Sequence, residues 1–367
     1  MSMENKPRMI SGTQLVFLLL ISRLFTLFTF VPRARTAASG STALLCIPLA
    51  GAAVGILLIP FLLLLRRSQT DLLSCAFQLG SGYGLVVSLL FGVFCIYMAA
   101  FTTSHFSFFM ASAVYPNSTP WAFLLLLTLA AGYAASLGLE AFSRMSVWVF
   151  SLLLLLLLLF VCALLPEVNP VYLTSPLLDG LPAVGKGIFY TAVNHAEAAA
   201  LILLLPRARR AGGRVAAGWL VLTILVYELL SFLTLTVLGD YAKTRLFPLH
   251  TLSSLAQLSG FGRLDLLHIA LWIFAAFLRL TVYLYCAAVC LRRIFPSAAF
   301  GRSCACCAAV SGIWSLATAQ GMQFWNRISE QVWVVAAPFL LLVAAVPLVT
   351  LLLTSLGRNS AGKGRIK

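Results

Sequence analysis

The amino-acid sequence predicts an all-α polytopic membrane protein of about ten transmembrane helices, and three observations predict it. Of 367 residues, 61% are hydrophobic and only 10% charged, against roughly 45–50% and about 25% in soluble domains. The apolar residues gather in runs of about 20, the length a helix needs to cross the hydrocarbon core. The Lys and Arg residues between these runs divide unevenly between alternate sides. A barrel is excluded by the same runs, because VFSLLLLLLLLFVCALL is continuously apolar where a barrel strand would alternate with period two.

The spans are bounded by charge, Pro or Gly and follow in order. The first, Ser11 to Val31, is too long for a signal-peptide core, contains Arg23 and lacks a small-residue cleavage pattern, so it is expected to stay as a span. The second, Ser41 to Leu65, stops at Arg66 and Arg67. The third, Gly82 to Thr102, follows GSGYG, which lacks the lysine and hydroxyl of a phosphate loop and reads as a flexible helix start. The fourth, Trp121 to Leu139, follows the turn PNSTP, and the fifth, Met145 to Leu165, stops before Pro166. The sixth runs from Leu181 to Leu205, the seventh from Val215 to Leu238, and the eighth from Leu266 to Leu291, before Arg292 and Arg293. Cys304 to Gln320 and Gln331 to Leu353 complete the set. Residues 1–10 form an N-terminal segment, 11–353 a single transmembrane domain and 354–367 a basic tail.

The formal net charge of +15 is mainly a topology signal. With ten spans, one side holds Lys6, Arg8, Arg66, Arg67, Arg144, Arg207, Arg209, Arg210, Arg214, Arg292, Arg293, Arg302, Arg358, Lys363, Arg365 and Lys367. The other holds Arg33, Arg35, Lys243, Arg245, Arg263 and Arg327. By the positive-inside rule this bias puts both termini in the cytoplasm, and it removes the need for a nucleic-acid partner. The nine cysteines include the close sets Cys286 and Cys290, and Cys304, Cys306 and Cys307. None has C-x-x-C spacing with a His partner, so they read as small apolar packing residues with no metal or cofactor implied. Asn117-Ser-Thr matches a glycosylation acceptor, a weak signal by itself.

Ionisable groups at membrane depth are costly and usually face a protein interior or a wet cavity. Arg23 lies about 18 Å into the first span, beyond comfortable snorkelling; it lines a pathway or pairs with a carboxylate of another helix. Arg279 is similarly central in WIFAAFLRLTVYLY, with Tyr283 one turn further on the same face. Glu228, in LTILVYELLSFL, is a candidate partner for Arg279. In FYTAVNHAEAAALILLLP, Tyr190, Asn194 and Glu197 fall at i, i+4 and i+7 and would share a polar face, with His195 and Thr191 on another. Gly185 and Gly187 flank Lys186 just upstream and weaken the helix there. Discontinuous helices at the midplane build the substrate sites of many secondary transporters, and positions one and six are equivalent in a five-plus-five inverted repeat. Helices one and six are therefore the candidates for interruption, although no internal sequence repeat is visible. His195 reads as a satisfied buried imidazole, and His250 and His268 as interfacial residues.

Three segments carry a family resemblance: RMISGTQLVFLLLISRLFTLFTF, YPNSTPWAFLLLLTLAAGYAASLGLEAFSRMSVWVF and FGRLDLLHIALWIF. With PNSTP followed by Tyr133, Gly138, Glu140 and Arg144 as its most specific part, the chain resembles the endospore germination permeases over about residues 9 to 353. These are the B subunits of Ger-type nutrient germinant receptors, in the amino acid-polyamine-organocation superfamily.

The resemblance implies a LeuT-like fold of ten helices in the inner membrane of the spore, working with an A subunit and a lipoprotein C subunit. It implies binding of a small nutrient, commonly an amino acid, in a pocket lined by spans one, three, six and eight. Here those spans offer Ser22, Arg23, Tyr97, Tyr190, Asn194, Glu197, Arg279 and Tyr283. One departure matters: the glycine-rich break in the first helix of amino-acid permeases is replaced by Ser22-Arg23-Leu24, so Arg23 is the candidate to meet a ligand carboxylate by a charge-assisted bond. The rival expectation is a secondary transporter coupled to protons through Glu197 or Glu228. An enzyme is disfavoured, since the loops are short and carry no paired acidic or His-Asp cluster.

Overall fold

The computed structural model describes residues 10–29, 40–116, 118–175, 177–209, 212–258, 262–318 and 332–363. The acceptor Asn117, most residues counted for the loop between the first two spans, Arg210, Arg327 and the end of the basic tail lie outside them. Apart from one small hairpin, β1 (Gln257–Leu258) with β2 (Gly262–Arg263), the described regular structure is helical.

Each predicted span has a helical counterpart. α1 is Gly12–Thr29. α2 (Gly40–Leu57) and α3 (Ile59–Ser68) together make the second span, joined by a one-residue turn at Leu58, with Pro60 in the first turn of α3. α4 (Leu72–Leu79) is a short connector capped by Asp71, whose carboxylate accepts from the Ser74 backbone N–H at 3.3 Å. α5 (Ser81–Phe109) continues as a π-turn over Met110–Val114. α6 is Pro120–Ser136 and α7 Leu139–Leu164; α8 (Leu181–Val193) and α9 (Glu197–Leu204) share the sixth span. Then follow α10 (Gly213–Leu238), the short α11 (Pro248–Leu255), α12 (Asp265–Ile294), α13 (Phe300–Thr318), α14 (Val332–Leu340) and α15 (Val346–Lys363), the last two joined by a π-turn. Six of the described stretches are long and apolar enough to cross a membrane as single helices, and the α8–α9 pair makes a seventh. α1 and α6 contain shorter apolar helices of the 10–17-residue class, and α13 is rich in small residues.

The third span runs several residues beyond its predicted end because its polar residues satisfy themselves on the helix. Thr102 donates to Met98 O at 2.7 Å, Thr103 to Ala99 O at 3.0 Å, Ser107 to Thr103 O at 2.9 Å, and His105 Nδ1 bonds Phe101 O at 2.8 Å. Side-chain bonding to the i−4 carbonyl hides polarity that hydropathy counts against a span. Two glycines are required by geometry. Gly138 caps the start of α7 at φ 96°, a backbone region that L-residues with a Cβ rarely occupy. A Cβ on Gly84 would lie 2.4 Å from the Phe77 ring and 2.8 Å from Phe77 Cα, so this glycine permits the tight α4–α5 turn.

α12 is the most deeply buried long helix. It packs against α1, α5, α6, α7 and α13, while α1 packs against α7, α10 and α12. α2 lies between α8 and α10. Ile10, just before α1, is tied to the end of the α9 segment: its carbonyl accepts from Arg209 N–H at 2.8 Å and its N–H donates to Arg207 O at 3.3 Å. The first and sixth spans are thus joined at one end, and α1 packs on α9.

Candidate functional site

The expected interruption is present in the sixth span and absent from the first. α1 is continuous over Gly12–Thr29, a correction to the idea that both would break. Within span six the break also lies further on than the glycines suggest. α8 runs unbroken through Gly185, Lys186 and Gly187, where it packs on α2 and Cys46 Sγ donates to Val184 O at 3.6 Å. It ends at Val193, and α9 departs at 43°.

Local chemistry accounts for the position. Asn194 Nδ2 donates to Tyr190 O at 2.9 Å, beside the Asn194 backbone N–H, and His195 Nδ1 bonds Thr191 O at 2.8 Å while its backbone N–H turns to Ala192 O at 3.0 Å, so the ladder tightens from i−4 to i−3 bonding where the helix ends. The buried His195 ring also stands edge-on to Trp219 at 6.3 Å. It is the satisfied imidazole expected.

The break destroys the shared face predicted for Tyr190, Asn194 and Glu197. Tyr190 is half-buried, Asn194 is exposed, and Glu197 begins α9 fully buried. Its partner is Arg279 of α12, also fully buried, through a short Oε1–Nη1 contact. This corrects the pairing of Arg279 with Glu228. Arg279 also donates from Nη1 to Ser22 O of α1 at 2.8 Å and from Nε to Thr102 Oγ1 of α5 at 3.1 Å. Its guanidinium lies 5.1 Å from the Tyr283 ring centroid and 5.8 Å from that of Phe25, within cation–π range. One side chain therefore holds four elements together: α1, α5, α9 and α12.

Ser22, Glu197, Arg279 and Tyr283 are the predicted residues that converge. Thr102 and Phe25 are site residues that sequence reasoning missed, Thr102 because it was placed at the end of its span. Around the ion pair, Glu197 Oε2, Arg279 Nη2, Tyr283 OH and Ser22 Oγ are buried and have no hydrogen-bond partner among the described residues. An ion pair that keeps one unused acceptor and one unused donor has the hydrogen-bonding capacity that a small zwitterion complements.

The other predicted residues lie elsewhere. Arg23, 2% exposed, is directed to the opposite side of the break, where Nη1 donates to Asn194 O and to Thr26 Oγ1 at 3.2 Å, with the Tyr227 ring 5.9 Å away. It caps the last carbonyl of the broken helix, a position that favours a cation. Tyr97 of α5 faces α13, edge-on to Trp314 at 6.0 Å. Glu140 and Arg144 form an exposed i,i+4 pair at 2.5 Å. His268 is fully buried, which corrects its placement at an interface. It stands 6.0 Å from His250 and 5.0 Å from Phe28, in an aromatic layer where Trp272 stacks on Phe106 and touches Phe25 and Phe109. At the other end of the bundle Arg207 donates to Tyr285 OH.

The sequence model of the spore germination protein family, a permease family, matches residues 9–321. The chain belongs to the spore germination protein family. No curated protein matches it. Among solved structures, this family member is similar to a Na+-coupled sialic acid symporter in a substrate-bound, outward-open state, at 13% identity and TM-score 0.63, over 91% of this chain and 78% of that one. It is also similar to Mhp1, a nucleobase-cation-symport-1 transporter in a closed conformation with bromovinylhydantoin bound, at 13% identity and TM-score 0.63, over 94% and 80%. At that identity the likeness concerns the fold. The germination protein is an integral membrane protein with the helical fold of such transporters, in which about ten spans fit, and it is permease-like rather than an enzyme.

Proposed function

We propose that the protein is the nutrient-sensing subunit of a spore germination receptor, taking a small zwitterion, an amino acid, at the Glu197–Arg279 pair. The observation that carries this reading is the buried pair with unused valences on both members, at the break of the sixth span, where α1, α5, α9 and α12 meet. The ligand carboxylate takes Arg279 Nη2 and its ammonium takes Glu197 Oε2, with Tyr283 OH and Ser22 Oγ completing the shell. Arg23, Tyr190 and Asn194 act at the hinge, and Tyr97, on α5 in the third span, supports the bundle by packing on Trp314. Binding that favours one packing of these elements shifts the population of the whole bundle, and partner A and C subunits in the spore inner membrane read the shift, with both termini of this chain in the cytoplasm.

The test is cation release from spores carrying Glu197→Gln, with the protein confirmed in the membrane, against single nutrients and a non-nutrient germinant. Loss of one nutrient response with the non-nutrient response intact supports the reading; an unchanged dose response removes Glu197 from the site. The rival reading, a proton-coupled amino-acid transporter, draws on a fold shared with symporters. Accumulation of substrate in proteoliposomes holding this chain alone would select it.

A further inference from the structure

Two ionisable side chains at membrane depth stand apart from the central site. Lys186 of α8 is exposed and Glu228 of α10 is half-buried, with its Oε2 closed off from solvent. Among the described residues neither has a hydrogen-bond or ion-pair partner.

Their depth can be read from the helix between them. Cys46 of α2 bonds Val184 O of α8, and the second and sixth spans, four crossings apart, run the same way, which puts Lys186 level with residue 48. On the other flank, Gly51 faces Ile224 and Gly55 faces Leu220 of α10, an antiparallel register that puts Glu228 level with residue 47. At 1.5 Å of rise per residue the two charges differ in depth by only about 1.5 Å. They are separated laterally by α2, roughly two interhelix spacings or about 16–20 Å, so they cannot pair within one chain.

Both face outward. Glu228 continues the stripe of Val221 and Leu225, which are 56% and 60% exposed, and between the charges α2 presents Pro48, Leu49, Ala52 and Ile56. A lysine can snorkel along its stem to the interface. Glu228 cannot, because it lies ten residues, about 15 Å, from the end of α10.

We propose that the α8–α2–α10 face binds a second copy of this chain. A two-fold axis parallel to the membrane normal and passing by α2 preserves depth. It therefore brings Lys186 of each copy against Glu228 of the other, twice, around a central apolar contact of α2 with α2. The face is self-complementary in the sense an isologous interface requires, and charge complementarity at a single depth makes a second copy the occupant.

The experiment uses the full chain, labelled with two fluorophores and reconstituted into liposomes at rising lipid dilution, with dimer fraction read by energy transfer. The wild type is expected to dimerise, Lys186→Glu and Glu228→Lys each to weaken dimerisation at least tenfold, and the double variant Lys186→Glu/Glu228→Lys to recover it. A further check is Ala52→Cys in a Cys162→Ser/Cys306→Ser background, where both exposed native thiols are gone; it should give an oxidative homodimer cross-link absent from that background alone. A monomeric wild type overturns the proposal, including the case where this face instead co-purifies a different polypeptide. So does dimerisation insensitive to both reversals, or a double variant that unfolds like wild type yet stays monomeric.

Discussion

Replacing Glu197 by Gln tests whether the Glu197–Arg279 pair organises the bundle, and its cost can be worked from the contacts. Two unit charges about 3 Å apart attract by about 5.5 kcal/mol at an effective dielectric of about 20, but taking each ion out of water costs several kcal/mol. The pair as a whole is thus close to neutral against an apolar isostere, whereas removing one partner strands the other and costs about 3–5 kcal/mol. Arg279 would retain Ser22 O at 2.8 Å, Thr102 Oγ1 at 3.1 Å and the Tyr283 ring at 5.1 Å. The low end, about 3 kcal/mol, is therefore expected for Glu197→Gln. At roughly 2 °C per kcal/mol for a chain of this size the unfolding midpoint should fall by about 6 °C. The assay is thermal unfolding in lipid nanodiscs, followed by tryptophan fluorescence; Trp272 lies two turns from Arg279 on α12. Arg279→Gln should cost a similar amount, and the double variant should cost less than the sum by about 2–3 kcal/mol, because contacting residues couple. A double variant whose loss equals the sum of the singles would refute the pair as the link between α9 and α12.

Other perturbations follow from single sites. Gly138→Ala forces a Cβ onto a backbone at φ 96° and should destabilise by about 1–3 kcal/mol, whereas Gly185→Ala, in a continuous helix with open space around its Cβ position, should stabilise by about 0.5–1 kcal/mol; the two midpoints in one unfolding series decide. Gly84→Ala meets the Phe77 ring and backbone and should cost about 1–3 kcal/mol by the same measurement. Arg23→Ala removes the donor to Asn194 O and should broaden the α8–α9 angle, read as a wider distribution of spin-label distances across the break. Arg23→Lys should narrow it again, and an unchanged distribution in Arg23→Ala would show that the arginine does not hold the hinge.

The membrane architecture was legible because hydrocarbon thickness imposes a length that composition reveals directly. What composition cannot reveal is helix rotation. Arg279 and Glu228 occur at compatible depths, yet α10 turns Glu228 outward while the break in span six delivers Glu197 to Arg279 instead. The break itself was expected two turns early, since Gly185 and Gly187 are weak helix formers in water. In the fold α8 packs on α2 and stays helical through both, and it ends where the His195 backbone N–H turns to Ala192 O. Tyr97 lies on the helix that carries Thr102 but more than a turn before it, and it points to Trp314. Thr102 escaped notice because a threonine bonded to its own i−4 carbonyl looks, in a hydropathy profile, like the end of a span.

The chemistry at the break also separates ligands. Tyr190, Thr191 and Asn194 carbonyls are already occupied by Asn194, His195 and Arg23, and on the proposed reading recognition at this break draws on the side-chain valences of Glu197, Arg279, Tyr283 and Ser22. A ligand carrying both a carboxylate and an ammonium fills both edges of the pair. An analogue lacking one charge leaves a buried ionic group unmatched, a loss of about 1.5–3 kcal/mol, which is roughly 10–150-fold in affinity at 1.4 kcal/mol per decade. For a responsive amino acid, the matching amine without carboxylate and the matching acid without ammonium should each compete at least tenfold more weakly in a binding assay on the reconstituted chain. Glu197→Gln should abolish the discrimination against the acid while leaving that against the amine. If the acid competes as well as the amino acid in the wild type, the ammonium does not meet Glu197, and the ion pair serves the bundle as structure alone.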